Sequence, residues 1–578
     1  MNGAAPTVLG PLSQDTTTKR PILIVAALLL AAFVVGFDTR VFTVGLPDLR
    51  GAYGLGADEG AWFATAANAP QIFIASAVAW LMTVYGVRRV MTPSSLVYAA
   101  LSCAIPFIHN HDLLFAAHIV RALLLGVFVP ATLMIIFRNL APKYWIIGLG
   151  IYTLRIPLSQ SMGFALVGYY GDVLGWQWLY WQDVLVAPLI ALLLVLGAPR
   201  EPIDKSLLAN ADWGGMLLLG ASMTFIYIGL DQGNRLDWLE SGLVESLFLA
   251  GGLLFVAFLV NESIVSRPWA HASVLGSRNV ILGLAVVIVF TFASSAGSTL
   301  IPGIMQTVGG LRPFQISGVF ILYAVIPVAI TVMLSGFVLT YVDARVALIV
   351  GLSASGVAAL IGSKVTSDWY PDSFGLIVLL HTTGQVLTFY ASFVFLVGNS
   401  DPKRSTAMSA YIQVARLGSA ELAAGLMGTW IRRREQFHSN VLGAHLTNDN
   451  PVYQRSLAAL NNALGHNGGG TAKAVGAVSA SVRSQSYVLA YSDCFIIAFW
   501  FSVAGLVLVA LMEASPASPL SPRPILKPRK REGYDERRDM DESRSEPGRT
   551  IKTFVGAISI DDGIKPTRDI AREACESN

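Results

Sequence analysis

The sequence predicts an all-α integral membrane protein with about fourteen transmembrane helices, and three observations predict it. Of the 578 residues, 54 % are hydrophobic and only 13 % are charged, about half the charge of an ordinary soluble domain. The mean hydropathy is +0.58, too apolar for a surface that must meet water everywhere. The apolar residues gather in runs of the length an α-helix needs to cross a bilayer, without the alternation of a transmembrane barrel.

In order, the runs lie near 22–47, 58–83, 90–108, 112–137, 144–170, 179–197 and 213–231, then 242–262, 279–306, 315–341, 345–363, 373–398, 405–430 and 486–512. A helix satisfies its own backbone hydrogen bonds, which lipid cannot do for it. The polar stretch ahead of the first run, without an A-x-A site, makes that run an uncleaved anchor. Pro130, Pro157, Pro302 and Pro327 fall inside runs and are expected to bend them.

An even number of spans puts both termini on one side of the membrane. Loops on the side of the N-terminus carry thirteen basic residues, among them Arg88, Arg89 and Arg345. The opposite short loops carry four, namely Arg50, Arg235, Arg312 and Lys364. The excess predicts cytoplasmic termini in the plasma (inner) membrane.

The expected organisation is a cytoplasmic N-terminus (1–21), a six-helix bundle (22–197), a polar connector (198–212), two inserted helices (213–262), a second six-helix bundle (279–512) and a tail (513–578). The second bundle includes an outer loop over 431–485, partly helical around 454–464. The tail opens S-P-A-S-P-L-S-P-R-P and continues with mixed charge, a composition that predicts disorder. Its basic cluster 527–531 would sit against anionic lipid.

Other chemistries find no support. The three cysteines, Cys103, Cys494 and Cys575, are far apart, which gives no disulfide framework or zinc site. There is no Walker A, HExxH or G-x-S-x-G sequence. An enzyme, a metal, an organic cofactor and a nucleic-acid partner are therefore not expected.

Ionisable residues inside spans carry the functional reading. A charge at the bilayer centre costs about 2.5–3.5 kcal/mol on insertion scales, so it is usually paired, cavity-facing and functional. The candidates are Asp38, Arg40, His118, Arg121, Arg155, Asp183, His381, Arg416 and Glu421. Asp38 is the proton carrier on this reading; the alternative is a structural ion pair with Arg40 or Arg416. Arg40 is two positions away, about 200° around the helix, which disfavours pairing within the span. Arg121 would bias a nearby carboxylate or bond backbone carbonyls. His118, on the same face, lines the pathway or packs. Glu421 is a second candidate for protonation. His381 and Gln385 share a face that lines the cavity or packs. Arg40 and Arg155 would attract an acid or a phosphate, unless Asp38, Asp183 and Glu421 compensate them. Trp62, Tyr152, Phe164, Tyr323 and Tyr390 would supply an apolar wall.

The first span ends F-D-T-R-V-F-T-V-G-L-P-D-L, followed by Trp62 in A-W-F-A-T-A. This resembles the L-D-x-T-I-V-N-V-A-L-P signature of fourteen-span drug:proton antiporters of the major facilitator superfamily, the multidrug-resistance B type. W-L-Y-W-Q-D-V (178–184), L-D-Q-G-N-R-L-D-W (230–238) and M-Q-T-V-G-G-L (305–311) are similar to further stretches of that family. The resemblance implies a 6+2+6 fold, alternating access and proton-driven export of amphipathic compounds. It also implies proton coupling through Asp38 and Arg121, and a periplasmic membrane-fusion adaptor on 431–485.

Departures accompany it. The cytoplasmic motif after the second span keeps Gly86, Arg88 and Arg89 but has Thr83 at its acidic position. Its pseudo-repeat keeps Asp343 and Arg345. The fifth-span antiporter motif becomes S-Q-S-M-G-F-A-L-V-G (159–168), without its proline. That loss favours a specialised carrier of a lipid, siderophore or organic acid as the alternative. A transport-dead sensor acting through the tail is the third reading.

Overall fold

The computed structural model describes residues 18–522, apart from 210, 266–271, 401–404, 448, 465–469 and 517–519. The regular structure among them is helical, with no strand. The first bundle comprises α1 (Pro21–Val44), α2 (Ala57–Tyr85), α3 (Val87–Ala104), α4 (His111–Met134), α5 (Trp145–Tyr169) and α6 (Trp178–Gly197). Two helices follow, α7 (Trp213–Gly233) and α8 (Gly242–Ile264). Next come α9 (Arg278–Ser295), continued by Ile301–Thr307, and α10 (Ile326–Tyr341), preceded by Pro313–Phe320. The last four are α11 (Ala344–Gly362), α12 (Gly375–Gly398), α13 (Ser405–Ala444) and α14 (Gly470–Ala510). Eleven of these segments are long and apolar enough to cross a membrane, twelve with the bent α2; α5 and α13 carry more polar residues.

Packing follows the apolar faces. α1 lies against α5 and α6, α2 against α4, and α3 against α6. In the second bundle α11 packs on α12 and α14, and α9 on α13 and α14. The bundles meet where α2 faces α13 and where α5 faces α10 and α12. α7 and α8 pack on each other, and α7 bridges α2 and α13. α8 turns Leu249, Leu253, Val256 and Val260 outward, a surface suited to lipid.

Helix irregularities sit near Pro130, Pro302 and Pro327, whereas Pro157 lies in an unbroken helix and a further wide turn, Tyr170–Leu174, has no proline beside it. One wide turn spans Ala296–Leu300 just before Pro302, and another spans Ile321–Val325 just before Pro327. A third, Ile135–Asn139, follows Pro130 by one turn. Proline removes a backbone donor and crowds the preceding turn, and π-turns of this kind loosen the ladder where it happens.

The stretch 431–485 differs from the expected loop. α13 has 40 residues and α14 has 41, each about 60 Å at 1.5 Å per residue and roughly twice the hydrocarbon thickness. Both continue as helices through most of that stretch, with Pro451–Leu464 between them. Asp493 holds the extension, accepting from Arg434 Nε at 2.6 Å and lying 2.7 Å from His438 Nε2. Hydropathy marks where the apolar run ends, but Ala, Gln and Arg still favour helix beyond it. The tail is described only as far as 522; its early residues tie back to the second bundle, with Glu513 N donating to Asn279 Oδ1 at 3.0 Å. The basic cluster 527–531 lies outside the described residues.

Candidate functional site

Four helices of the first bundle bring charge together in its interior. Arg121 of α4 reaches Asp38 Oδ1 of α1 at 2.5 Å and Asp183 Oδ2 of α6 at 2.7 Å. Arg121 Nε donates to Ser102 Oγ of α3 at 2.9 Å. Tyr98, also from α3, donates its hydroxyl toward Asp183 Oδ2 at 3.0 Å, with Asp38 Oδ1 at 3.3 Å. Its ring lies under the guanidinium, 4.6 Å from the centroid. All three charged side chains are at most 2 % exposed. Two acids face one guanidinium, which leaves one negative charge when both are ionised. Asp38 Oδ2 and Asp183 Oδ1 are buried without a hydrogen-bond partner, so the cluster has two oxygens on which a proton can sit. Asp38 therefore pairs with Arg121, and neither Arg40 nor Arg416 is its partner. Arg121 in turn bonds side chains and, among the described residues, no backbone carbonyl.

His118 is interior. Its Nδ1 lies 2.8 Å from the Leu114 carbonyl and its Nε2 3.0 Å from the Tyr180 hydroxyl. The carbonyl can only accept, so Nδ1 carries the proton and Nε2 accepts from Tyr180. Phe42 and Phe63 close around the ring. Of its two readings His118 therefore packs, and Asp183 pairs with Arg121 rather than compensating Arg40 or Arg155. Trp62 stands at the start of α2, beside Arg235, and is absent from the cavity wall. Its position in the motif marks the helix end rather than the pathway.

The cavity lies between the bundles and measures about 250 Å³. It receives Arg40 from α1, Arg155 from α5 and both Arg416 and Glu421 from α13. Arg40 reaches it because Gly163 leaves room for its stem; a Cβ there would meet Arg40 Cβ and Cγ at 2.8 Å. Gly163 belongs to the altered fifth-span motif, so glycine at that place serves the cavity arginine. Gln385 of α12 crosses to Gln160 of α5 at 3.1 Å and also donates to Ser294 at 2.8 Å. His381 lies one turn from Gln385 in an adjoining recess, with both ring nitrogens unpartnered. The aromatic residues on the wall are Tyr227 and Phe389. Of those expected there, Phe164 instead stacks on Phe320 at 5.1 Å, and Tyr390 bonds the Ile146 carbonyl across the bundles.

Glu421 is held by the inserted helix. Tyr227 and Asp231 of α7 stand close enough to its carboxyl group to act on its charge. Asp231 also accepts from Thr65 of α2, and Gln232 donates to Thr65 at 2.6 Å. Arg235 donates to Gln232 at 2.7 Å and pairs with the exposed Asp58 at 2.5 Å. A polar chain therefore leads from the cavity wall to one surface. Sequence reasoning passed over Asp231; the signal was present, an acid near the end of an apolar run, inside the L-D-Q-G stretch.

The loop motifs have also found partners. Gly86 has φ +82°, a region that favours glycine, and a Cβ there would touch Glu201 at 3.0 Å. Arg89 donates to the Glu201 carbonyl at 3.0 Å, and Asn139 to Glu201 Oε1 at 3.1 Å. The connector thus brings a buried carboxylate to a motif whose own acidic position is Thr83. Arg88 borders the same recess. Asp343 caps α11 by accepting from Arg345 N at 2.9 Å and pairs with its guanidinium at 3.0 Å. Partial burial works against its charge, yet the Arg345 hydrogen bonds hold its carboxyl below the ordinary range. Arg345 also donates to the Met512 carbonyl at 3.1 Å, fastening α11 to the end of α14.

Comparison with known proteins agrees with this architecture. A family model described as Major Facilitator Superfamily matches residues 28–422. The probable multidrug resistance protein EmrY of Escherichia coli K12 is 23 % identical over 490 residues, covering 84 % of this chain and 93 % of that protein. The multidrug export protein EmrB of the same strain is 22 % identical over 289 residues, covering 50 % of this chain and 56 % of that protein. A crystal structure of an auto-inhibited POT family peptide transporter shares the fold, with a TM-score of 0.50 at 14 % identity over 86 % of this chain and 99 % of its own. With the helical bundles and the cavity between them, the match over most of its length places the chain in the Major Facilitator Superfamily, as a multi-pass membrane transporter of small molecules and not an enzyme.

Proposed function

We propose that the protein is a proton-driven exporter of amphipathic drugs or metabolites that works by alternating access. The observation that carries this reading is the Asp38–Arg121–Asp183 cluster. A guanidinium cannot give up its proton in a protein, so the proton that balances this group resides on the two carboxyl groups. α1 carries Asp38 and, two residues on, Arg40 at the cavity wall. Rocking of the bundles would move both together, linking proton occupancy to substrate occupancy. Gln385–Gln160 and Gln413–Tyr152, each 3.1 Å, are contacts that such motion would make and break. Glu421 with Asp231 forms the second protonation site in this scheme, and the inward proton gradient is the energy source. No cofactor takes part.

The names of the relatives, a multidrug resistance protein and a multidrug export protein, support export. The basic-residue excess supports cytoplasmic termini in the plasma (inner) membrane. The paired extensions of α13 and α14, on the opposite face in that orientation, are where a periplasmic adaptor would dock. Reconstitution into liposomes tests the proposal. The wild type is expected to release protons when substrate is added and to pump in response to a pH gradient. Asp38→Asn is expected to lose both. Gradient-driven transport in Asp38→Asn at the wild-type rate would refute it.

A further inference from the structure

The cavity holds more positive charge than it answers. Arg155 is 5 % exposed, and its Nε and Nη2 are buried without any hydrogen-bond partner. The Tyr152 ring lies 4.9 Å from its guanidinium carbon. Arg416 stands near enough for its charge to act on Arg155 and, among the described residues, bonds the neutral Gln413 side chain alone, at 3.1 and 3.3 Å. Arg40 is 8 % exposed and, among the described residues, makes no ion pair with Asp or Glu. The carboxyl group on the wall, Glu421, makes no ion pair with any of these arginines among the described residues and lies beside Asp231 and Tyr227. A buried cation without a counter-charge is costly, and an anion that brings acceptors to the unused N–H groups removes the cost.

The cavity also has a definite apolar outlet. At Ile72, Tyr227 and Leu417 it adjoins a narrow seam between α2, α7 and α13. That seam is faced by Met223, Ile226 and Val414. It exists because α7 is inserted between the bundles, and its walls are mostly apolar, with Gln413 and Tyr227 as the polar side chains on it.

We infer that the site takes an amphiphilic anion, with a carboxylate or phosphate headgroup on Arg155, Arg40 and Arg416 and an apolar tail along the α2–α7–α13 seam. This rests on the exporter reading and specifies its substrate class. Arginine suits the task, since its planar fork meets two oxygens of either headgroup at once. The cluster around Arg121 would not compete for the ligand, because its guanidinium is already occupied by two carboxyl groups.

The test uses the full chain in liposomes with an imposed pH gradient and four probes: dodecanoate, dodecyl phosphate, hexanoate and dodecyltrimethylammonium. The wild type is expected to transport dodecanoate or dodecyl phosphate, and whichever moves faster identifies the headgroup. Arg155→Gln and Arg40→Gln are expected to lower the anion-to-cation transport ratio at least tenfold, and Arg155→Lys to restore part of it. Ile226→Trp, which fills the seam, is expected to slow dodecanoate at least fivefold more than hexanoate. Equal loss of anion and cation transport in the glutamine variants would overturn the inference, because the arginines would then be structural. So would a wild type that moves the cation and neither dodecyl anion. Asp38→Asn separates the two levels: its failure to abolish gradient-driven flux refutes proton coupling, whereas an unchanged charge preference in Arg155→Gln refutes the anion site alone.

Discussion

Arg121 and Arg155 are both buried in the first bundle, yet their surroundings are opposite. Arg121 has two aspartates, a serine hydroxyl and an aromatic face. Arg155 has an aromatic face, a second arginine nearby and two unused nitrogen atoms. The same residue type at similar depth is therefore satisfied in one place and waiting in the other. A protein keeps an unsatisfied charge where something else will satisfy it, and the cavity beside Arg155 is the place for that.

The largest way to break this comparison is at its satisfied end. Arg121→Leu strands two buried carboxyl groups, and removing one partner of a buried pair costs about 3–5 kcal/mol. Thermal unfolding in detergent should show a large drop and transport should vanish. Arg155→Leu should instead leave stability unchanged or raise it, because no partner is stranded. A drop as large as that of Arg121→Leu would erase the distinction between the two arginines.

Next comes the pair of acid sites. Glu421→Gln keeps the shape of the cavity wall but leaves Asp231 without a second carboxyl group beside it. It is expected to slow proton-driven transport about tenfold, short of the complete loss expected for Asp38→Asn. Parallel flux measurements rank them, and Asp231→Asn should match Glu421→Gln if the pair acts as a unit.

Smaller effects sharpen the boundary of the site. His118→Phe loses two buried hydrogen bonds at about 1–3 kcal/mol for each group left unpaired, with substrate selectivity unchanged. Glu201→Ala removes the acceptor for Asn139 and should loosen the Gly86 turn, seen as faster hydrogen exchange over 84–90. The smallest is Asp343. Its carboxyl lies below the ordinary range near 3.9, so its cap and ion pair are at full strength at neutral pH. Their contribution fades only as pH falls below that range, through the depressed value. Asp343→Asn should therefore narrow the gap in stability between neutral and strongly acidic pH.

The sequence determined the helices on its own, because a bilayer imposes one length and one hydrogen-bonding solution on every crossing segment. Expected starts such as 22, 179 and 279 fall within one residue of α1, α6 and α9. It also picked out the charged residues inside the spans, since each is an exception to an otherwise apolar run. The extension of α13 and α14 was hidden, because hydropathy reports the edge of lipid rather than the end of a helix.

What only the tertiary structure decided is which charge meets which. Asp38 and Asp183 are 145 positions apart along the chain, and packing of α1, α3, α4 and α6 alone makes them share Arg121. The same is true of Glu201 beneath Gly86 and of Asp231 on Glu421. An ion pair depends on a few ångströms between helices, and helix periodicity fixes direction around one axis without fixing the neighbour that stands there.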